Sequence, residues 1–191
     1  DPLRASLYAF NVIQKQRKTV EGAPKPALGR KVARVGVVGA GLMASQLALL
    51  LLHNLKCPVV MTDIDQERAD KGVAWVKNEL AKLVEKKRMS AESAGRLSLL
   101  ISGSSDQQVF AGCDFVIEAI FEELSLKQEL FKKLEKIVGP ECVLATNTSS
   151  LSVERMSEGL EHPERVVGFH FFNPVAVMPL LEVARTSKTD D

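Results

Sequence analysis

Two textures alternate along this chain. Short, nearly unbroken apolar runs occupy residues 32–38, 58–62, 99–102, 115–120, 143–145, 166–169 and 180–183. Runs of that kind read as strands buried on both faces. Between them lie longer stretches with a helical period. Leu42–Leu55 is apolar enough for a buried helix. The stretch from 66 to about 88 is charged but keeps Val73, Val76, Leu80, Leu83 and Val84 on one face. Leu126, Leu130, Leu134 and Ile137 recur at helical spacing within 124–138. Strand alternating with helix predicts a mostly parallel sheet, covered on both faces, in an α/β domain.

The first residues differ. Leu3, Leu7, Phe10 and Ile13 make one helical stripe over 3–18, and residues 21–31 hold two prolines and two glycines, the composition of a linker. The chain therefore divides into a linker helix with its Pro/Gly linker, 1–31, and a domain, 32–191. It opens at Asp1-Pro2 and stops at Thr189-Asp190-Asp191, soon after a strand-like segment, as expected of a piece of a longer protein. No internal repeat is evident.

Composition narrows the function. Of 191 residues, 46% are hydrophobic and 26% charged, a globular balance. Lys+Arg number 25 against 24 Asp+Glu, a net charge of +1, which argues against a nucleic-acid binder driven by phosphate neutralisation. The longest apolar run, 47–52, is far short of a membrane span, and no signal peptide is expected from first residues that carry no compact apolar core. Three cysteines and three histidines are scattered without metal-ligand spacing, so reduced thiols and no metal are expected.

The strongest local signal is the turn Gly39-Ala40-Gly41-Leu42-Met43-Ala44, a Gly-x-Gly-x-x-Ala pattern between the first strand and the first long helix. Gly39 permits the tight turn, Gly41 lets a pyrophosphate approach the backbone, and Ala44 is small enough for close helix–strand packing. The N–H groups at the helix start then face an anion. Asp63 closes the second strand, where a carboxylate can accept both ribose hydroxyls of an adenosine and would repel a 2′-phosphate. NAD is favoured over NADP. Asp65 lies past the expected strand end. Together these features predict a Rossmann-type doubly wound sheet.

Two further polar clusters fall at predicted strand ends, where open parallel sheets bind ligands. One is Asn147-Thr148-Ser149-Ser150. The other is His170 with Asn173, in Gly168-Phe169-His170-Phe171-Phe172-Asn173-Pro174. Glu182 follows between apolar neighbours. A carboxylate is costly to bury there without a partner, and His170 is the natural one. Taken alone, His170 reads equally as a core histidine between phenylalanines, and Ser149 as part of a helix cap.

These motifs, with Glu118-Ala119-Ile120, resemble the NAD-binding domain of L-3-hydroxyacyl-CoA dehydrogenases over about residues 32–188. The segment 3–31 resembles the helix and linker that join a hydratase/isomerase domain to the dehydrogenase in multifunctional fatty-acid β-oxidation proteins. The resemblance implies His170 as catalytic histidine and Glu182 as its paired glutamate. It implies Ser149 on substrate and cofactor, and Asn173 as the signature asparagine. It further implies Asp63 as ribose acid, Glu122 and Lys127 as cofactor contacts, and Asn147 in the same cofactor loop.

Two departures stand out. Ala44 replaces a usual glycine. The family's following helical domain, which closes the cleft, supplies a second catalytic asparagine and makes the dimer, lies outside these residues.

The implied reaction is oxidation of a 3-hydroxyacyl-CoA to the 3-ketoacyl-CoA with NAD, an imidazole taking the hydroxyl proton. These residues alone are expected to bind NAD but turn over poorly. The alternatives are a non-catalytic dinucleotide-binding module and an NAD-dependent dehydrogenase of a free hydroxy acid. Bacterial cytoplasm is the default compartment, with peroxisome and mitochondrial matrix as alternatives.

Overall fold

The computed structural model describes residues 4, 7, 8 and 26–190, which fall into two compact units that divide between residues 31 and 32. In the first, Arg4, Leu7 and Tyr8 are helical and exposed, and Pro26–Leu28 form one 3-10 turn. The rest of the predicted stripe and residues 21–25 of the linker lie outside the described residues.

The second unit carries β1 (Val35–Val38), α1 (Leu42–Leu55), β2 (Val59–Thr62), α2 (Gln66–Glu85), α3 (Ala91–Leu99) and β3 (Ile101–Ser104). It continues with β4 (Phe115–Glu118), α4 (Leu124–Leu134), β5 (Val143–Thr146), α5 (Val153–Met156), β6 (Val166–Phe171) and β7 (Leu181–Ala184). The described strands form one sheet in the order β3-β2-β1-β4-β5-β6-β7. All neighbours are parallel except β6 and β7, which are antiparallel. The order reverses between β1 and β4, which opens a crevice at their carboxyl ends.

The predicted double covering is present. On one face Val35, Val37, Val59 and Met61 pack with Leu47, Leu52, Val76, Leu80 and Leu97 from α1, α2 and α3. On the other, Val38, Val60, Val116 and Leu144 pack with Leu130, Phe131 and Leu134 of α4 and with Phe110 and Met156. Both faces of the central strands are dry, which is why their sequences show no alternation.

Some boundaries differ from expectation. The first strand begins at Val35 because the N–H groups of Ala33 and Arg34 are already taken by the Asp114 carboxylate, at 2.7 and 2.9 Å. Leu99, expected to open a strand, ends α3 and is 87% exposed. That helix hides in its sequence. It holds Gly95 and two serines, buries only Ala94 and Leu97, and starts from a cap in which Ser90 accepts the Ser93 N–H. Strand β6 runs on to Phe171, so His170 sits within the ladder rather than after it.

Cys57, Cys113 and Cys142 are free and buried. Burial pushes each thiol up, Cys142 to about 12, which leaves them inert. Among the described residues, no helix is long and apolar enough to cross a membrane, and no group of three or more His, Cys, Asp or Glu side chains could hold a metal ion.

Candidate active site

The glycine turn leaves β1 with Gly39 at φ +103°, a backbone region side chains avoid. A Cβ there would stand 2.9 Å from the carbonyl oxygen of Ala119. Gly41 is the N-cap of α1 and supplies no capping side chain. A Cβ on Gly41 would meet nothing within 4 Å. The space over the helix start is therefore open, and its amide groups are available to an anion. Ala44 is fully buried, as tight helix–strand packing requires. Asp63 follows β2 and turns back to this bend: its Oδ2 accepts the Ala40 N–H at 2.7 Å and its Oδ1 the Ile64 N–H at 2.8 Å. Each oxygen keeps a lone pair for a further donor. Asp65 instead caps α2, accepting the Arg68 N–H at 2.8 Å.

A cleft of about 370 Å³ opens beside the turn. Met43, Ala119, Ile120, Glu122 and Lys127 line it from the turn, the β4–α4 connection and the first turn of α4, and Asn147, Ser149, His170, Phe171, Phe172 and Asn173 from the β5 and β6 ends. Gly39, Ala40, Gly41, Leu42, Asp63 and Glu182 are outside that lining. The fit to a dinucleotide is good: an open helix start for the pyrophosphate and an adjacent carboxylate for a ribose, beside the cleft that Met43 of the same turn lines.

Histidine 170 faces Glu182 directly across the β6–β7 register. Its Nδ1 lies 2.9 Å from the glutamate Oε2. A carboxylate only accepts, so Nδ1 carries the proton and Nε2 is left as the ring's acceptor. Phe169 and Phe171 point to the opposite face of the strand, where their rings meet edge to face at 5.2 Å, while the Phe172 ring lies tilted against the imidazole at 4.6 Å. The pairing matches expectation, but the reason given for it does not hold. The Glu182 side chain is 59% exposed, so no burial cost forces it onto His170. Strand register brings them together.

Asn147 ties the two strand ends, its Oδ1 accepting the Phe171 N–H at 2.9 Å. The expected helix cap falls later than Ser149: Ser152 caps α5. Thr148 organises the loop, accepting the Leu151 N–H at 3.0 Å and donating its hydroxyl to Glu122. Glu122 also accepts the Ser149 N–H at 3.2 Å.

Beneath the cleft lies a network that joins Glu118, Glu122 and Lys127, residues named from the sequence but not as one another's partners. Glu118 and Lys127 are 0% and 1% exposed, with Nζ 2.9 Å from the Glu118 carboxylate and 2.9 Å from that of Glu122. Glu118 further accepts the Thr146 hydroxyl and, at 3.2 Å, the Ile120 N–H. A glutamate ending an apolar strand was the available signal, because buried charge demands a partner. Partial burial pushes Glu122 up, but the Thr148 hydroxyl, Lys127 and the Ser149 N–H outweigh it and hold the carboxyl down at about 2.

Residues 34–191 match the family described as 3-hydroxyacyl-CoA dehydrogenase, NAD binding domain. The peroxisomal fatty acid beta-oxidation multifunctional protein MFP2 of Arabidopsis thaliana is 40% identical over 161 residues, 84% of this chain and 22% of that protein. The glyoxysomal fatty acid beta-oxidation multifunctional protein MFP-a of Brassica napus is 39% identical with the same coverage. The chain thus spans about 22% of the length of these curated relatives. Among solved structures, 3-hydroxybutyryl-CoA dehydrogenase from Escherichia coli is similar with a TM-score of 0.81 and 33% identity, over 84% of this chain and 34% of that one. The (S)-3-hydroxybutyryl-CoA dehydrogenase of Ralstonia eutropha gives 0.79 and 36%, over 84% and 56%.

Proposed function

The chain belongs to the 3-hydroxyacyl-CoA dehydrogenase family through its NAD-binding domain, and from that we propose that it is the cofactor-binding part of an enzyme oxidising L-3-hydroxyacyl-CoA to 3-ketoacyl-CoA in fatty-acid β-oxidation. The observation that carries this is the placement of His170, braced by Glu182, in the cleft that Met43 of the glycine turn also lines.

When bound, NAD supplies the acceptor for the hydride that leaves C3. The protein handles the proton. Nε2 of His170 takes it from the C3 hydroxyl, while Glu182 holds Nδ1–H, fixes ring orientation and stabilises the imidazolium that forms. Ser149 hydrogen-bonds the same substrate oxygen. Asp63 receives the ribose hydroxyls, and the amides at the start of α1 receive the pyrophosphate. Lys127 has three ammonium hydrogens, two of them directed at Glu118 and Glu122. The third serves the cofactor side of the cleft. Glu122 and Asn147 complete that side by holding the loop of Ser149.

Residues 1–31 act as a connecting segment and 32–191 as the cofactor domain. A further domain of the intact protein closes the cleft and makes the oligomer. The plant relatives are named peroxisomal and glyoxysomal proteins. They support the peroxisomal setting and lend none to the bacterial cytoplasm.

The test is NADH oxidation by the intact protein, followed by absorbance, with acetoacetyl-CoA and with free acetoacetate. Turnover of the thioester alone is expected. Turnover of the free acid instead would move the protein to the hydroxy-acid dehydrogenases, and turnover of neither to a binding module.

A further inference from the structure

Gln46 sits in the second turn of α1, and its carboxamide reaches the segment that follows β6. Its Oε1 accepts the Val175 N–H at 2.9 Å, and its Nε2 donates to Oδ1 of Asn173 at 3.1 Å. The chemistry leaves one arrangement. A backbone N–H can only donate, and Val175 is 5% exposed, so an oxygen must face it. The NH2 end of Gln46 is then committed to Asn173, where it needs an oxygen in turn. Asn173 is thereby oriented with its own NH2 directed away from Gln46. Asn173 lines the cleft.

We propose that Gln46 is a positioning residue that locks Asn173 as a hydrogen-bond donor to the cleft, serving an acceptor oxygen of the bound reactants. The inference rests on the dehydrogenase reading above. Two oxygens have this chemistry: the carboxamide oxygen of the nicotinamide and the C3 oxygen of the substrate. Because Gln46 belongs to the helix that begins at the glycine turn, it joins cofactor binding to the setting of the residue three places beyond His170. A glutamate at 46 would still accept from Val175 but could not donate. It would draw the Asn173 NH2 to itself and turn Oδ1 to the cleft, acceptor against acceptor.

The experiment is a double-mutant cycle in the intact protein with Q46E and N173A. Its readouts are the Kd of NAD by fluorescence titration and the KM of acetoacetyl-CoA at saturating NADH. Q46E is expected to raise one of the two by about tenfold, and the one that moves identifies the acceptor. In the N173A background Q46E is expected to change neither. An unaltered Q46E beside an impaired N173A would overturn the inference alone. Equal losses from Q46E in both backgrounds would do the same, since Gln46 would then act elsewhere. An unimpaired N173A would remove Asn173 from the site and overturn the inference, while the dehydrogenase reading, which stands on His170 and Glu182, would be untouched.

Discussion

Gly39 and Gly41 stand two residues apart and do different work, which substitution can separate. Gly39→Ala places a Cβ 2.9 Å from the Ala119 carbonyl oxygen in a left-handed backbone. It should destabilise the fold by about 1–3 kcal/mol, read by urea unfolding. Gly41→Ala adds a Cβ that meets nothing within 4 Å. Unfolding should barely change, while NAD affinity falls because the methyl occupies the pyrophosphate's place. Equal NAD affinity in Gly41→Ala would reject the assignment of that space. Asp63→Ala should weaken NAD binding in a titration; unchanged affinity would reject the ribose assignment. These residues were legible in sequence because each backbone demand has few chemical solutions. Glu182 shows the limit. Its partner could be guessed, but the 59% exposure of its side chain follows from a sheet edge that residue chemistry does not reveal.

At the scale of elements, β4, α4 and the loop after β5 are joined by the Glu118–Lys127–Glu122 network. Lys127→Met should cost about 3–5 kcal/mol, because Glu118 would be left buried and unpaired. Pairing it with Glu118→Gln should recover much of that loss, and a purely additive double mutant would contradict the network. Glu122 adds a pH signature. Its carboxyl lies at about 2 against an ordinary 4.5, so it stabilises the folded state fully above 4.5 and loses that contribution as pH falls toward 2. The difference in Tm between wild type and Glu122→Gln should be constant near neutrality and shrink across that acid window. A constant difference down to pH 2 would contradict it. Elements announced by long periodic stretches, α1, α2 and α4, could be read from the sequence to within a few residues. Helix α3 could not, because a short helix that buries only Ala94 and Leu97 leaves almost no apolar period.

For the whole molecule, topology places chemistry. The strand order brings the carboxyl ends of β1, β4, β5 and β6 to one edge, so residues from 43 to 173 meet in one cleft. Unbroken apolar strands and the glycine turn made the parallel sheet readable, whereas the antiparallel turn of β7 left no mark in its composition. The central claim is that this cleft holds a proton acceptor at position 170 beside a separate cofactor seat. It is tested most directly by His170→Gln in the intact protein, with turnover and NAD affinity measured on the same sample. The claim predicts turnover reduced by about 10² or more with NAD affinity within about twofold of wild type. Wild-type turnover from that variant would contradict it.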